Sequence, residues 1–282
     1  FPYTTLFRSG MQGMLRDARP SRLEDLIALN ALYRPGPMDN ITEYMARKNG
    51  EKKAEYLHPK MESYLAKTFG VLVYQDDLLM TAIELAGYSW GEVDKFRKAV
   101  GKKIPEEMAK QHVIFVEGCK QHTGMSAKDA EALWNLFEPF QGYGFNKAHA
   151  ASYGNLAYQT AYMKANFPVD YMASLLTADS GDVEKIGGVV GETKRMGIAV
   201  LPPDINESDN TFTVVDDKTI RFGLSSIKNF GEGVATSIIN ERKANGPFKS
   251  LSDFLRRIKD KNLNKKSLES LMTRCLDKES KQ

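Results

Sequence analysis

Signals for the start of an α-helix recur along this chain from residue 20 to about residue 200. Several have the pattern Ser/Thr-x-x-Asp/Glu, in which each side chain can cap the backbone N–H of the other residue. The clearest pairs are Ser21 with Glu24, Ser89 with Glu92, and Ser126 with Asp129. Apolar residues follow these starts at helical spacing, as Val93, Phe96 and Val100 do. The sequence therefore predicts a mainly α-helical fold.

The pattern changes at Leu201-Pro202-Pro203. Residues 211–215 (TFTVV) and 219–223 (TIRFG) are rich in β-branched and aromatic side chains, and they flank the short polar run Asp216-Asp217-Lys218. This arrangement is typical of a β-hairpin. Helical patterns return from about residue 231. We expect a multi-helix domain over residues 10–200, followed over residues 201–282 by a small β-hairpin and a helix-hairpin-helix element.

The overall composition excludes several classes of protein. The chain has 282 residues, enough for one large or two modest domains, and its formal net charge is only +3. Any nucleic-acid surface must therefore come from local clusters of cations. Two cysteines without metal-ligand spacing favour a reducing, cytoplasmic setting. No apolar run approaches the roughly 20 residues that a membrane-spanning helix needs, so we expect no membrane contact.

Residues 1–9 (FPYTTLFRS) differ from the rest of the chain. They resemble the in-frame translation of a sequencing-library adapter, and helix-like patterning begins abruptly after Gly10. We expect these residues to be non-native and leave them out of the fold prediction.

Residues 141–153 (QGYGFNKAHAASY) combine a glycine-jointed aromatic loop with a helix start. Tyr143 and Phe145 lie in the loop, and Asn146 is a good N-cap. Lys147 and His149 then fall in the first helical turn, where free N–H groups and the helix dipole already attract an anion. The pattern suits phosphate binding and base stacking. An ordinary capped helix with two solvated polar residues is the alternative.

Residues 96–103 (FRKAVGKK) carry four cations around a predicted helix end: Arg97, Lys98, Lys102 and Lys103. An arginine can bind two phosphate oxygens at once, and a cluster of cations neutralises a triphosphate better than one charge does. The alternative is purely structural, since positive charge past the C-terminus of a helix stabilises the helix.

Residues 227–239 (IKNFGEGVATSII) are typical of a glycine hairpin between two helices. Gly231 and Gly233 would let the backbone approach a phosphate closely, next to Lys228. Asn229 stands where many such hairpins have glycine, and asparagine tolerates the left-handed region. Contacts of this kind position DNA without reading its sequence. An ordinary helix hairpin is the alternative.

The acidic residues indicate neither a catalytic centre nor a metal site. Two-metal phosphoryl transfer needs carboxylates that converge on ions about 4 Å apart. The adjacent pairs Asp76-Asp77 and Asp216-Asp217 do not converge, because neighbouring side chains diverge on a helix or a strand. The sequence shows no Walker loop, no GxSxG motif and no partnered cysteine nucleophile.

Taken in order, these motifs resemble the bacterial DNA polymerase III α subunit, the C-family replicative DNA polymerase. The resemblance runs from about Gly10 to Leu271 through GMQGMLRDARPSRLEDLIALNALYRPGPM, YQDDLLM, FRKAVGKKIPEEMAK, GYGFNKAHAASY, YQTAYMKANFP, RMGIAVLPPDIN and FGLSSIKNFGEG. It implies that residues 10–200 are the fingers region and that the helix-hairpin-helix leads toward the clamp-binding part.

The resemblance also implies roles for these residues. Arg97 and Lys98 match the paired basic residues that hold the triphosphate of the incoming dNTP, and Lys102 and Lys103 continue this surface. Lys147 and His149 match the loop that faces the nascent base pair. The catalytic aspartates and their Mg²⁺ belong to the family's palm domain, so we expect this segment alone to be an inactive part of a nucleotidyltransferase. Primer-template DNA, dNTPs, the sliding clamp and other replicase subunits are the implied partners.

Three departures from the family pattern stand out. After Leu271 the stretch MTRCLDKESKQ follows the family only in part, which leaves open whether these residues are native or frame-damaged. The family usually has a second arginine at position 98, where Lys98 keeps the charge but loses the bidentate geometry. Asp76-Asp77 stands where the family commonly has Glu-Gln. Two rival interpretations remain: a non-catalytic, repair-type DNA-binding module built around residues 205–258, and a structural scaffold whose basic clusters are solvated faces.

Overall fold

The protein is described from a computed structural model, which covers residues 9–34, 37–102, 105–137, 146–227, 229–260 and 263–275. Within these ranges the chain forms fourteen α-helices and one small β-sheet. The predicted mainly α-helical class, with a β-hairpin and a helix-hairpin-helix element, is confirmed.

The first nine helices are α1 (Ser9–Ala18), α2 (Leu23–Leu32), α3 (Ile41–Lys48), α4 (Glu62–Leu65), α5 (Gln75–Ala86), α6 (Trp90–Lys102), α7 (Pro105–Thr123), α8 (Ala127–Asn135) and α9 (Lys147–Asn166). The other elements are α10 (Pro168–Ala178), α11 (Val183–Arg195), β1 (Ala199–Leu201), β2 (Thr213–Asp216), β3 (Thr219–Arg221), α12 (Glu232–Asn245), α13 (Leu251–Arg257) and α14 (Lys265–Cys275). Short 3₁₀ turns occupy Pro37–Asn40, Pro59–Met61, Ala66–Thr68 and Leu224–Ser226.

The chain divides into two compact units, residues 1–160 and residues 161–282. This division is geometric, and the functional boundary that the sequence places at residue 200 stays a prediction. Each unit buries its own apolar clusters, which is what a chain of this length is expected to do.

The first core cluster of residues 1–160 is built around an aromatic side chain of α6. Phe96 is completely buried, and its ring centroid lies 5.7 Å from those of Tyr88 and Phe137 and 6.1 Å from that of Trp134. Phe115 of α7 stacks on it at 6.4 Å. These contacts hold α6 against its neighbouring helices, so its opposite face is presented to solvent.

The second core cluster of this unit joins α1, α2, α3 and the first half of α9. A Cβ added at Gly154 of α9 would lie 2.7 Å from Cγ1 of Ile27 and 3.3 Å from its Cα. This close approach requires a residue without a side chain at position 154. It also fixes where the N-terminus of α9 lies, and that end carries two of the predicted site residues.

Of the three predicted capping pairs, one is confirmed in full, one in part, and one is wrong. Ser89 and Glu92 each accept a hydrogen bond from the backbone N–H of the other at the start of α6. At the start of α8, Oγ of Ser126 accepts from the N–H of Asp129, and the Ser126 hydroxyl donates to Oδ2 of Asp129. At α2 the helix begins one residue later than the pattern implies, with Arg22 as N-cap. The N3 position is therefore Asp25, which accepts hydrogen bonds from the N–H groups of Ser21 and Arg22 at 2.9 and 3.2 Å.

Residues 161–282 contain a three-stranded sheet in the order β1-β3-β2. The predicted hairpin is present, since β2 and β3 pair in antiparallel fashion. The sequence did not predict β1, which pairs with β3 in parallel fashion through Ala199, Val200 and Leu201. Three residues are too few to show strand periodicity, and the partner strand lies about twenty residues further along the chain.

Candidate nucleotide and DNA interface

The first candidate cluster lies on the exposed side of α6. Val93, Phe96 and Val100 turn one face of this helix into the core, as the sequence predicts. Arg97 and Lys98 lie outside that face, with 42% and 58% of their side chains exposed. Their charged groups are therefore accessible to a ligand while the backbone beneath them is held by buried packing.

One carboxylate engages both of these cations. Oδ1 of Asp94 accepts hydrogen bonds from Nε and Nη2 of Arg97 at 3.0 and 2.7 Å. Oδ2 of the same side chain lies 2.7 Å from Nζ of Lys98. Hydrogen bonds from Lys98 and then Arg97 hold the pKa of the Asp94 carboxyl below its usual value. The structure therefore brings Arg97 and Lys98 together, with Asp94 between them.

The other two members of the predicted basic cluster are not described to the same extent. Helix α6 ends at Lys102. The side chain of Lys102 and all of Lys103 lie outside the residues that the structure describes. Their role in the candidate site stays a prediction.

The second candidate cluster lies at the start of α9. Oδ1 of Asn146 accepts a hydrogen bond from the N–H of His149 at 3.0 Å, which confirms Asn146 as the N-cap. The N–H of Lys147 donates to Oδ2 of Asp76 at 3.3 Å. Two N–H groups of the first turn are thus engaged within the protein. An anion that binds at this position would therefore contact the exposed ammonium of Lys147 rather than these N–H groups.

Aromatic rings support both basic side chains of this turn. Nζ of Lys147 lies 5.3 Å from the ring centroid of Tyr74, at cation–π distance. The His149 ring centroid lies 4.4 Å from that of Tyr153, one turn along α9. Tyr143 and Phe145, the aromatic residues of the predicted loop, lie outside the described residues.

The first turn of α5 connects the two clusters. Gln75 lines a small cleft together with Arg97 and Gly101 of α6. The next residue, Asp76, accepts the hydrogen bond from Lys147 described above. The cations of α6 and the start of α9 therefore lie at the same end of α5, which brings together residues that are 50 positions apart in the sequence.

Asp77 is the buried member of the Asp76-Asp77 pair. Only 4% of this residue is exposed, and its Oδ2 accepts hydrogen bonds from the N–H groups of Val73 and Tyr74 at 2.9 and 2.8 Å. Burial raises the pKa of the carboxyl to about 6, although the hydrogen bonds and the charge of Lys147 act in the opposite direction. Asp77 thus caps α5 at an electrostatic cost.

The third candidate cluster is the hairpin before α12. Asn229 has a φ of +62°, the left-handed conformation that the sequence predicts it to tolerate. Phe230 is buried beneath it, and Gly231 is the N-cap of α12 with Gly233 in the first turn. A Cβ added at either glycine would meet nothing within 4 Å. The packing of the described residues therefore does not require glycine at 231 or 233, and the DNA-binding role of the two glycines stays a prediction. Lys228 lies outside the described residues.

Sequence reasoning missed two acidic residues of this surface. Asp94 stands three residues before Arg97 and four before Lys98, the spacing at which helical side chains meet, so the sequence contained the signal for it. Asp76 carried no such signal toward Lys147, since the two residues are 71 positions apart. Only tertiary structure brings them together.

Two features are absent from the described part of the chain. No three His, Cys, Asp or Glu side chains there come close enough to hold a metal ion. Equally, none of the helices in those ranges has the length and apolar character needed to cross a membrane.

Neighbouring cations on the exposed side of a helix, and a glycine hairpin at a helix start, are features found in nucleic-acid-binding proteins. Residues 6–123 match the family described as the bacterial DNA polymerase III alpha subunit finger domain. Residues 197–277 match the helix-hairpin-helix motif. The predicted resemblance is confirmed: the chain belongs to the bacterial DNA polymerase III alpha subunit family, of which it carries the finger domain and a helix-hairpin-helix motif.

Curated relatives extend this similarity over most of the chain. The DNA polymerase III subunit alpha of Thermus aquaticus is 46% identical over 268 residues, which is 93% of this chain and 22% of the relative. Those of Chlamydia pneumoniae and Borreliella burgdorferi are 46% and 47% identical over 95% and 93% of this chain. The chain thus spans about a fifth of the length of these relatives.

Proposed function

We propose that this chain is the part of a bacterial replicative DNA polymerase that receives the incoming dNTP and contacts DNA. The observation that carries the proposal is the convergence of Arg97 and Lys98 on the solvent side of α6, within the segment that matches the finger domain. Cations placed in this way stabilise the triphosphate when it binds and as pyrophosphate leaves.

The other clusters have supporting roles in this proposal. Lys102 and Lys103 extend the cationic surface, Lys147 and His149 face the nascent base pair, and Tyr143 and Phe145 help to position the template. The hairpin of Lys228, Asn229, Gly231 and Gly233 binds phosphates of the duplex through backbone N–H groups, independently of base sequence. All these residues position substrate.

The chemical step is assigned to residues outside these clusters. In the proposed enzyme, paired aspartates of a palm domain outside these residues would hold Mg²⁺, and the ion would supply Lewis-acid catalysis of phosphoryl transfer. By the same proposal, residues 1–282 alone do not polymerise, and the sliding clamp and other replicase subunits join the longer protein in the cytoplasm.

Arg97→Ala in the full-length polymerase tests the triphosphate role. We expect kcat/KM for dNTP incorporation to fall about 10- to 100-fold, because a hydrogen-bonded charge contributes roughly 1.5–3 kcal/mol. Single-turnover incorporation at several dNTP concentrations measures the effect. Arg195→Ala is the matched control, since Arg195 also pairs with an acid three residues earlier on a helix. Unchanged incorporation in Arg97→Ala would refute the role.

Gly233→Val tests the hairpin. A side chain at this position would block close approach of a phosphate, and its Cβ would meet nothing within 4 Å. We expect duplex DNA to bind roughly tenfold more weakly, as for the loss of one charge-assisted hydrogen bond. Fluorescence anisotropy over a range of salt concentrations measures this. Gly188→Val on α11, where an added Cβ also meets nothing within 4 Å, should leave binding unchanged. Equal binding by both variants would contradict the proposal.

The rival interpretations receive less support. A repair-type DNA-binding module built around residues 205–258 would use the helix-hairpin-helix and leave residues 88–153 dispensable. The finger-domain match covers residues 6–123, a part of the chain for which that interpretation has no role. A purely structural scaffold gives no role to Arg97 and Lys98, which one carboxylate holds together on the solvent side of α6.

A further inference from the structure

Arg97 and Lys98 face a geometric difficulty as a phosphate-binding pair. Neighbouring residues on an α-helix point about 100° apart, because the helix has 3.6 residues per turn. Two long, half-exposed side chains that leave the helix in different directions do not by themselves reach the same ligand. In addition, each has many rotamers to choose from.

Asp94 overcomes this difficulty. It lies one turn before the pair, three residues from Arg97 and four from Lys98, so its angular position falls between theirs. One oxygen holds Arg97 at 2.7 and 3.0 Å, and the other holds Lys98 at 2.7 Å. A single carboxylate therefore draws the two cationic groups to one place.

The contact leaves most of the hydrogen-bonding capacity of the pair available. Asp94 uses Nε and one hydrogen of Nη2, which form the side edge of the Arg97 guanidinium. Among the described residues Nη1 makes no hydrogen bond, so the end edge can still bind two phosphate oxygens. Lys98 has three donors and uses one on Asp94. A polyphosphate can thus bind both cations while Asp94 keeps its hold.

We propose that Asp94 is a positioning residue that holds Arg97 and Lys98 side by side, so that both contact one polyphosphate. The proposal rests on the proposed dNTP-binding function of this surface. Asp94 also repels the triphosphate, and the two effects oppose each other. The repulsion acts through solvent around a side chain that is 45% exposed, where charges are strongly screened. Ordering two rotamer-rich side chains is the larger effect.

Asp94→Ala in the full-length polymerase is the test. We expect the KM for dNTP to rise about fivefold, the size associated with ordering one or two long side chains, while kcat stays within about twofold. Asp94→Asn should give an intermediate KM, because an amide oxygen can still accept from Arg97 but not attract Lys98. Glu107→Ala is the matched control, since Glu107 pairs with Lys110 at 2.8 Å on the exposed face of α7.

A mutant cycle between Asp94 on one side and Arg97 with Lys98 on the other separates positioning from a general effect on α6. If Asp94 acts through the two cations, Asp94→Ala should have no further effect in a polymerase that already carries Arg97→Ala and Lys98→Ala. An additive effect would indicate a structural role and would overturn the inference. An unchanged or lower KM in Asp94→Ala would overturn it as well. If Arg97→Ala also leaves the dNTP dependence unchanged, the proposed function itself fails.

Discussion

Replacing Phe96 with alanine is expected to lower the free energy of unfolding of residues 1–160 by about 4 kcal/mol, within the range for phenylalanine truncation in a packed core. Phe96 is completely buried, and it contacts Tyr88, Phe115, Trp134 and Phe137. Removal of the ring leaves a cavity at the centre of this cluster. Because the surrounding rings come from several elements, they can close the cavity only partly.

Urea unfolding followed by tryptophan fluorescence measures this loss. Both tryptophans, Trp90 and Trp134, lie in residues 1–160, so the signal reports on that unit. Val113→Ala is the control, because Val113 is 67% exposed on α7 and its loss should change stability by no more than about 0.5 kcal/mol. A loss below about 1 kcal/mol in Phe96→Ala would contradict the central position of this ring.

The second large effect is a change in pH dependence caused by Asp77→Asn. The folded pKa of Asp77 is about 6 and its ordinary value is 3.8. Below the ordinary value the carboxyl is neutral in both states, so burial carries no ionisation cost. As the pH rises from about 4 to 6, the Asp77 carboxyl ionises in the unfolded chain before it ionises in the folded protein. The free energy of unfolding therefore falls over this range. Above the folded pKa the penalty is complete, at about 3 kcal/mol for a shift of roughly two units.

Asparagine keeps an oxygen that can accept from Val73 and Tyr74 but has no charge to bury. We therefore expect the free energy of unfolding of Asp77→Asn, relative to that of the parent protein, to increase by about 2.5 kcal/mol between pH 4 and pH 7.5. Urea unfolding followed by tryptophan fluorescence at the two pH values measures this shift. Asp39→Asn, an exposed aspartate of the same unit, is the control. A difference that does not vary with pH would show that Asp77 is not titrating in this range.

The sequence predicted the helices well because their signals are local. The N-terminus of α6 follows from the pair Ser89 and Glu92, and that of α8 follows from the pair Ser126 and Asp129. The two residues of each pair lie within one helical turn. The one wrong pair, Ser21 with Glu24, missed the acceptor Asp25 by a single residue. A capping pattern gives the approximate start of a helix, but which residue becomes N3 depends on where the backbone first turns.

The candidate site could be predicted only in part. Residue type and short motifs singled out Arg97, Lys98, Lys147 and the hairpin glycines as candidates, because each lies in a motif of a few residues, and their binding roles stay predictions. The same reasoning overlooked Asp94, although its spacing from Arg97 and Lys98 indicated the contact. It could not have found the hydrogen bond from Lys147 to Asp76, since no short-range pattern connects residues 71 positions apart.

By itself the sequence determined the class of this protein: a mainly helical chain with cations, glycines and an asparagine N-cap at stated positions, in the order of a polymerase finger region. These features depend on backbone geometry within a few residues, which side-chain type controls directly. Tertiary structure alone decided that β1 pairs with β3, that Asp76 engages the start of α9, and that Asp77 is buried with a raised pKa. Those outcomes depend on which segments, distant in the sequence, pack against each other and bury their surfaces, and no local pattern encodes this.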